Sequence, residues 1–131
     1  MKNIKQWTIL NCAPEEAYRA WVDSKKHGDM IGGDAKIDPK IGGLFSIWGG
    51  AVTGKTIELD PKKRRIVQSW RYEYDDWPEN EPSKITVEFV PNKNGCKLRF
   101  WQSDVPDKYV DEIAGGWRDY YWKPMQEYFS G

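Results

Sequence analysis

The chain has 131 residues, 20 of them basic and 20 acidic, and a formal net charge of zero. That length suits one domain, residues 1–131, with a sizeable core, and the even charge lacks the basic footprint of a nucleic-acid binder and does not favour an anionic membrane surface. The 8 Trp, 7 Tyr and 4 Phe call for burial or an aromatic-lined cavity, and no stretch is long and apolar enough for membrane insertion or a signal peptide.

Lys2 to Leu10 alternates, with Ile4, Thr8 and Leu10 on one face and Trp7 and Ile9 on the other, and reads as a strand buried on at least one side. A helix opens at Asn11 to Glu16, with Pro14 in its first turn and Glu15 and Glu16 near the positive end of its dipole. Ala17, Tyr18, Trp21 and Val22 give it an apolar face. Asp23-Ser24 interrupts it, and Lys25 to Met30 forms a second short helical turn closed by Ile31-Gly32-Gly33.

From Gly33 to Gln102 the pattern is that of strands. Ala35 to Asp38 stops at Pro39, and Leu44 to Trp48 lies between glycine pairs at 42–43 and 49–50. Ala51 to Asp60 ends at the basic turn Pro61-Lys62-Lys63, and Arg64 to Tyr74 follows. After an acidic, proline-punctuated loop at 75–82 come Ser83 to Val90, a turn at 91–95 and Cys96 to Gln102. In the last strand Cys96, Leu98 and Phe100 share one face, and Trp101 falls on the other with Lys97 and Arg99. Short links of this kind imply antiparallel meanders.

Val105 to Gly131 closes the chain. At about 100° per residue, Val110, Ala114, Trp117, Tyr121, Pro124 and Tyr128 form one apolar stripe, with Ile113 and Met125 at its margins. One long helix is expected from near Pro106, weakened at Gly115-Gly116, where each glycine costs roughly 1 kcal/mol against Ala. It is expected to kink near Tyr120, because Pro124 costs ~3 kcal/mol in a helix interior when nothing compensates. The glycines mark close packing or a helix break, or they leave room for a guest beside the helix. The stripe needs a large partner surface, and the simplest solution is an α+β fold in which a curved antiparallel sheet of about six to seven strands wraps around the last helix.

Several segments together carry a resemblance: AYRAWVDSKKHGDMIGG at 17–33, IGGLFSIWGGAVTGKTIELDPKKRRIVQSWR at 41–71, the Trp77-Pro78 loop, Val105-Pro106, and GWRDYYWKPMQEYF at 116–129. The chain resembles the activator of heat-shock-protein-90 ATPase family in its C-terminal-domain form, within the START-like, or SRPBCC, helix-grip superfamily. The resemblance covers essentially the whole chain. It implies the helix-grip topology and a cavity between sheet and long helix, and it raises a chaperone as a partner and stress response as a setting. Those activators carry a separate N-terminal domain before this one, whereas this chain begins at the first strand. The expectation is therefore of weak chaperone contact rather than strong stimulation.

Cys12 and Cys96 are far apart in sequence and outside any C-x-x-C arrangement, which points to buried free thiols in a reducing, cytoplasmic setting. His27 is the sole histidine and sits between Lys25-Lys26 and Gly28, so a solvated surface position is expected, with no His-rich metal site. Asp75, Asp76, Glu79 and Glu81 offer oxygens to a hard cation, but their spacing is not that of an EF-hand and Pro78 and Pro82 favour a simple turn. Neither a metal nor a cofactor is expected. Lys62, Lys63, Arg64 and Arg65 read as a solvated strand junction.

No H-E-x-x-H, P-loop or G-x-S-x-G motif is present. A cyclase- or hydrolase-like reading would need a titratable pair inside the cavity, and the sequence supplies no convincing one. Trp48, Trp70, Phe100, Trp117 and Tyr121 are the candidates for the inner surface, either filling the core or walling an open cavity. Gln68 and Gln102, each on an apolar strand face, are the candidate polar handles. The expected function is non-enzymatic binding of an apolar small molecule or lipid. The alternative is a co-chaperone-type interaction domain.

Overall fold

A computed structural model describes residues 1–77 and 83–130. Pro78, Pro82 and the acidic pair Glu79 and Glu81 lie outside the described residues. The elements in chain order are β1 (Lys2–Leu10), α1 (Pro14–Val22), α2 (Ser24–Ile31), β2 (Ala35–Ile37), β3 (Leu44–Ile47), β4 (Val52–Asp60), β5 (Arg65–Tyr72), β6 (Ser83–Asn92), β7 (Gly95–Val105) and a C-terminal helix. The strands form a 7-stranded sheet in the order β1-β7-β6-β5-β4-β3-β2, and every neighbouring pair is antiparallel. The α1–α2 pair carries the chain from β1 at one edge to β2 at the other.

Period-two patterning sets the sheet's faces. Ile4, Thr8 and Leu10 are buried while Trp7 and Ile9 are exposed, so β1 covers the core with one face only. Ile85, Val87, Phe89, Leu98 and Phe100 fill the centre of the inner face. The last strand runs past Gln102 to Val105, because Lys2 of the edge strand pairs with Val105 and extends the ladder. Trp48 lies beyond the end of β3, in a tight turn with a φ of 53°, followed by Gly49 and Gly50 at φ of 66° and 101°. Cys12 and Cys96 are both free and buried.

The C-terminal helix comprises a 3-10 turn at Asp107–Tyr109, α-helix at Val110–Trp117, a π-helical turn at Arg118–Trp122 and α-helix at Lys123–Tyr128. Its buried side chains are Ile113, Trp117, Tyr121, Trp122, Met125 and Phe129. The expected stripe is thus rotated: Val110, Ala114 and Pro124 are only half-buried and Tyr128 is 42% exposed. The reason is the π turn. Side chains four apart drift by about 40° per step in a helix of 3.6 residues per turn, and a wider turn takes up that drift, holding residues 113, 117, 121, 125 and 129 on one face.

The same turn accommodates Pro124. The Lys123 N–H donates five residues back, to the Arg118 carbonyl, so the ladder has already loosened where the proline ring meets the preceding turn. The irregularity expected near Tyr120 takes this form. No break occurs at Gly115-Gly116, where the α-helix is continuous.

Three side-chain bonds tie the helix to β1. Trp122 Nε1 donates to Gln6 Oε1 over 2.7 Å, Gln6 Nε2 donates to the Ala114 carbonyl over 3.0 Å, and Gln126 Nε2 donates to Thr8 Oγ1 over 2.8 Å. Across the sheet, Gly54 of β4 brings its backbone close to β5. A Cβ there would collide with the Ser69 carbonyl oxygen and meet the Phe45 ring at 2.8 Å. Gly54→Ala is expected to cost about 1–3 kcal/mol of stability, read as a lower urea midpoint at unchanged slope. An unchanged midpoint contradicts the close approach of these strands.

Candidate functional site

β5 and the C-terminal helix face one another and leave a cleft of about 300 Å³ between them. Alternation along β5 turns Ile66, Gln68 and Trp70 into the core, and Tyr72, two residues beyond Trp70, reaches the cleft. The helix contributes Ile113, Gly116, Trp117, Tyr120 and Tyr121 at three- and four-residue spacing. Trp48 closes one end, edge-on to Tyr120 at 6.2 Å and to Tyr121 at 5.8 Å. Its indole lies over Gly33, where an added Cβ would stand 2.5 Å from Nε1.

Gly116 decides why there is room. A Cβ on it would meet only a Tyr120 ring carbon, at 3.7 Å, and one on Gly115 would meet nothing within 4 Å. These glycines therefore serve neither close packing nor a helix break. Gly116, which lines the cleft, leaves space there.

Four of the side chains picked from sequence line this cleft: Trp48, Trp70, Trp117 and Tyr121. Phe100 lies beneath it, packed on Trp117 at 4.4 Å and on Trp122 at 5.1 Å. Gln102 also lies beneath and is tied into the wall: it accepts from Trp117 Nε1 over 2.8 Å and donates to Ser83 Oγ over 2.9 Å. Ser83 in turn donates to the Trp70 carbonyl over 2.6 Å. Gln68 is equally committed, accepting from Trp21 Nε1 over 3.0 Å and donating to Thr56 Oγ1 over 3.3 Å. Tyr72, Tyr74, Tyr120 and two acids, Glu73 and Glu112, line the cleft without having been picked out. The two-residue step from Trp70 and the helical step from Trp117 were the available signals.

Two polar groups stand out at the inner wall. The Trp70 indole N–H is buried without a hydrogen-bond partner among the described residues. Burial pushes the Tyr72 phenol well above its ordinary pKa, opposed by the side chains of Gln102, Trp70 and Trp117.

His27 is not on the surface. It is 1% exposed, because residues 27, 30 and 31 share the inward face of α2 while Lys25 and Lys26 point outward. Its Nδ1 lies 2.6 Å from the Trp21 carbonyl and its Nε2 lies 2.8 Å from the Tyr121 hydroxyl. A carbonyl only accepts, so Nδ1 carries the proton and the Tyr121 O–H donates to Nε2. Burial holds the ring neutral, with its pKa lowered to about 4, against the opposing bond to Trp21. Burial also pushes the Tyr121 phenol well above its usual value.

Several other charged groups form ion pairs. Asp76 pairs with Lys108 over 2.7 Å and accepts from the Tyr109 hydroxyl. In the basic turn Lys62 and Lys63 are exposed. Arg64 reaches Glu15 over 3.2 Å, and Arg65 reaches Glu58 over 3.2 Å and Glu88 over 2.9 Å. Among the described residues no helix is long and apolar enough to cross a membrane.

A pH prediction follows from His27. Its pKa is lower in the folded chain, about 4, than the roughly 6.5 of the unfolded chain. The unfolded state therefore binds more protons between those values, and stability is complete above the higher one and lost as pH falls toward the lower one. The loss should reach about 3 kcal/mol. Urea titrations across this window should show that slope in the natural chain and a flatter one in His27→Gln. Parallel slopes contradict a buried neutral ring.

The family described as Activator of Hsp90 ATPase homolog 1-like protein matches residues 11–130. The chain is 29% identical over 118 residues to the Activator of 90 kDa heat shock protein ATPase homolog of Dictyostelium discoideum, covering 89% of this chain and 30% of that protein. It is 27% identical over 118 residues to Activator of 90 kDa heat shock protein ATPase homolog 1 of Homo sapiens, covering 90% of this chain and 34% of that protein. The match thus spans about a third of the length of these curated relatives. In fold, the chain superposes on the crystal structure of an HSP90 activator from Plasmodium falciparum with a TM-score of 0.86 and 24% identity, covering 99% of this chain and 97% of that one. By sequence and fold together, the chain belongs to the Activator of Hsp90 ATPase homolog 1-like family, with the helix-grip architecture of START-like domains.

Proposed function

We propose that the chain is a non-enzymatic binding domain that holds an apolar small molecule or lipid fragment in the cleft between β5 and the C-terminal helix. The observation that carries this reading is the space of about 300 Å³ beside Gly116, walled by Trp70, Trp117, Tyr120 and Tyr121. A guest that buries about 200 Å² of apolar surface gains about 5 kcal/mol from that burial, before the cost of association. The Tyr72 phenol, which lines the cleft, is the polar group within reach to set its pose. No covalent step and no cofactor is needed. On this reading the protein works in the cytoplasm.

A second reading, contact with a chaperone, is favoured by the names of the relatives. It predicts saturable binding of the purified chain to a 90 kDa heat shock protein and a change in that protein's ATPase rate. Absence of both contradicts it.

Native mass spectrometry of the freshly purified protein tests the first reading. The expected result is an extra mass that disappears on denaturation and is absent from Gly116→Phe, which fills the cleft. That variant should keep or gain stability, since replacing a helix glycine recovers up to about 1 kcal/mol and its Cβ meets no close neighbour. No extra mass in the natural chain, or an extra mass retained by Gly116→Phe, contradicts this site. Trp117→Ala is a separate control on packing. Its ring touches Phe100, Trp70, Tyr121 and Trp122 at 4.4, 5.2, 4.7 and 5.3 Å, so truncation should cost about 3–5 kcal/mol.

A further inference from the structure

Among the residues that line the cleft the charged ones are Glu73 and Glu112. They come from opposite walls. Glu73 follows β5 and is anchored by its N–H to the Ala51 carbonyl at 3.0 Å, and Glu112 lies in the first turn of the helix. Both are exposed, and neither carboxylate has an ion-pair partner among the described residues. Aromatic rings line the same cleft: half-buried Tyr74, which feels the Glu112 charge, and Tyr120, 63% exposed.

This combination selects by charge. Ring faces carry negative quadrupole density and attract cations. Two exposed carboxylates that line one cleft both attract a positive group that enters it. The same pair opposes an anion such as a fatty-acid carboxylate, and it gives a neutral guest no advantage. Resting on the reading of the cleft as a ligand site, we infer that its guest is a small organic cation, a quaternary ammonium or protonated amine with apolar substituents. The charge sits at the mouth between Glu73 and Glu112, and the apolar part lies inward on Trp70, Trp117 and Tyr121.

The test is a pair of probes of one shape that differ in charge: benzyltrimethylammonium and its neutral carbon isostere, 2,2-dimethylpropylbenzene. Binding is followed by quenching of tryptophan fluorescence at low ionic strength, where screening is weak. The cation should bind at least about tenfold more tightly than the isostere. The double variant Glu73→Gln/Glu112→Gln, altered only at exposed side chains, should bring the two to within about threefold of one another. Equal or tighter binding of the neutral isostere overturns the inference and leaves the apolar cleft standing. So does a cation preference that survives in the double variant. Binding of neither probe also overturns it, and the mass measurement with Gly116→Phe then decides the cleft reading separately.

Discussion

The hydrogen bond from the Tyr121 hydroxyl to His27 Nε2, buried and 2.8 Å long, is the contact on which the cleft depends. It joins the C-terminal helix to α2, and the other ring nitrogen joins α2 to the Trp21 carbonyl at the end of α1. Trp21 passes the connection through its indole N–H to Gln68 of β5, and Gln68 passes it to Thr56 of β4. Each donor in this run meets an acceptor. A buried polar run of this kind is stabilising when complete and costly when one partner is removed. It fixes distances in a way that apolar contact does not.

That constraint explains how a cleft survives in a small aromatic-rich domain. Hydrophobic burial by itself would draw the helix down onto the sheet and close the gap beside Gly116. The helix is instead held at set heights by polar bonds: Tyr121 to His27 on one flank, Trp122 and Gln126 to β1 on the other, and Trp117 to Gln102 beneath. The π turn at Arg118–Trp122 keeps Trp117 and Tyr121 facing these partners, with Met125 buried on the same side, while Pro124 passes through. Space is left where the chain places glycines, and the walls are left aromatic.

Much of this was legible in the order of residues. The strand alternation of Lys2 to Leu10 and Ser83 to Gln102, the start of the first helix at Pro14 and the long final helix are local signals, and the structure follows them. What failed depends on contacts between distant segments. His27 looked solvated because its neighbours are Lys25 and Lys26, whereas its burial is set by Tyr121, 94 residues away. The apolar stripe of the last helix was drawn for a regular 3.6-residue turn, and the π turn rotates it toward Ile113 and Phe129. Gln68 and Gln102 were correctly placed on inner faces, but Trp21 and Trp117 occupy them, so they are ties within the wall. The acids at the mouth were invisible, because exposed glutamates in a linear sequence carry no mark of what faces them.

The His27 ring is neutral, protonated on Nδ1, and accepts from Tyr121 at Nε2. A nitrogen–proton correlation spectrum of the histidine ring, recorded at about pH 5.5, reads this state directly, since a ring of ordinary pKa near 6.5 would be mostly charged there. The expected spectrum has one protonated nitrogen, Nδ1, and one unprotonated nitrogen shifted by its hydrogen bond, with the Nε2 shift moving in Tyr121→Phe. An imidazolium signal at that pH, or a proton on Nε2, would contradict it.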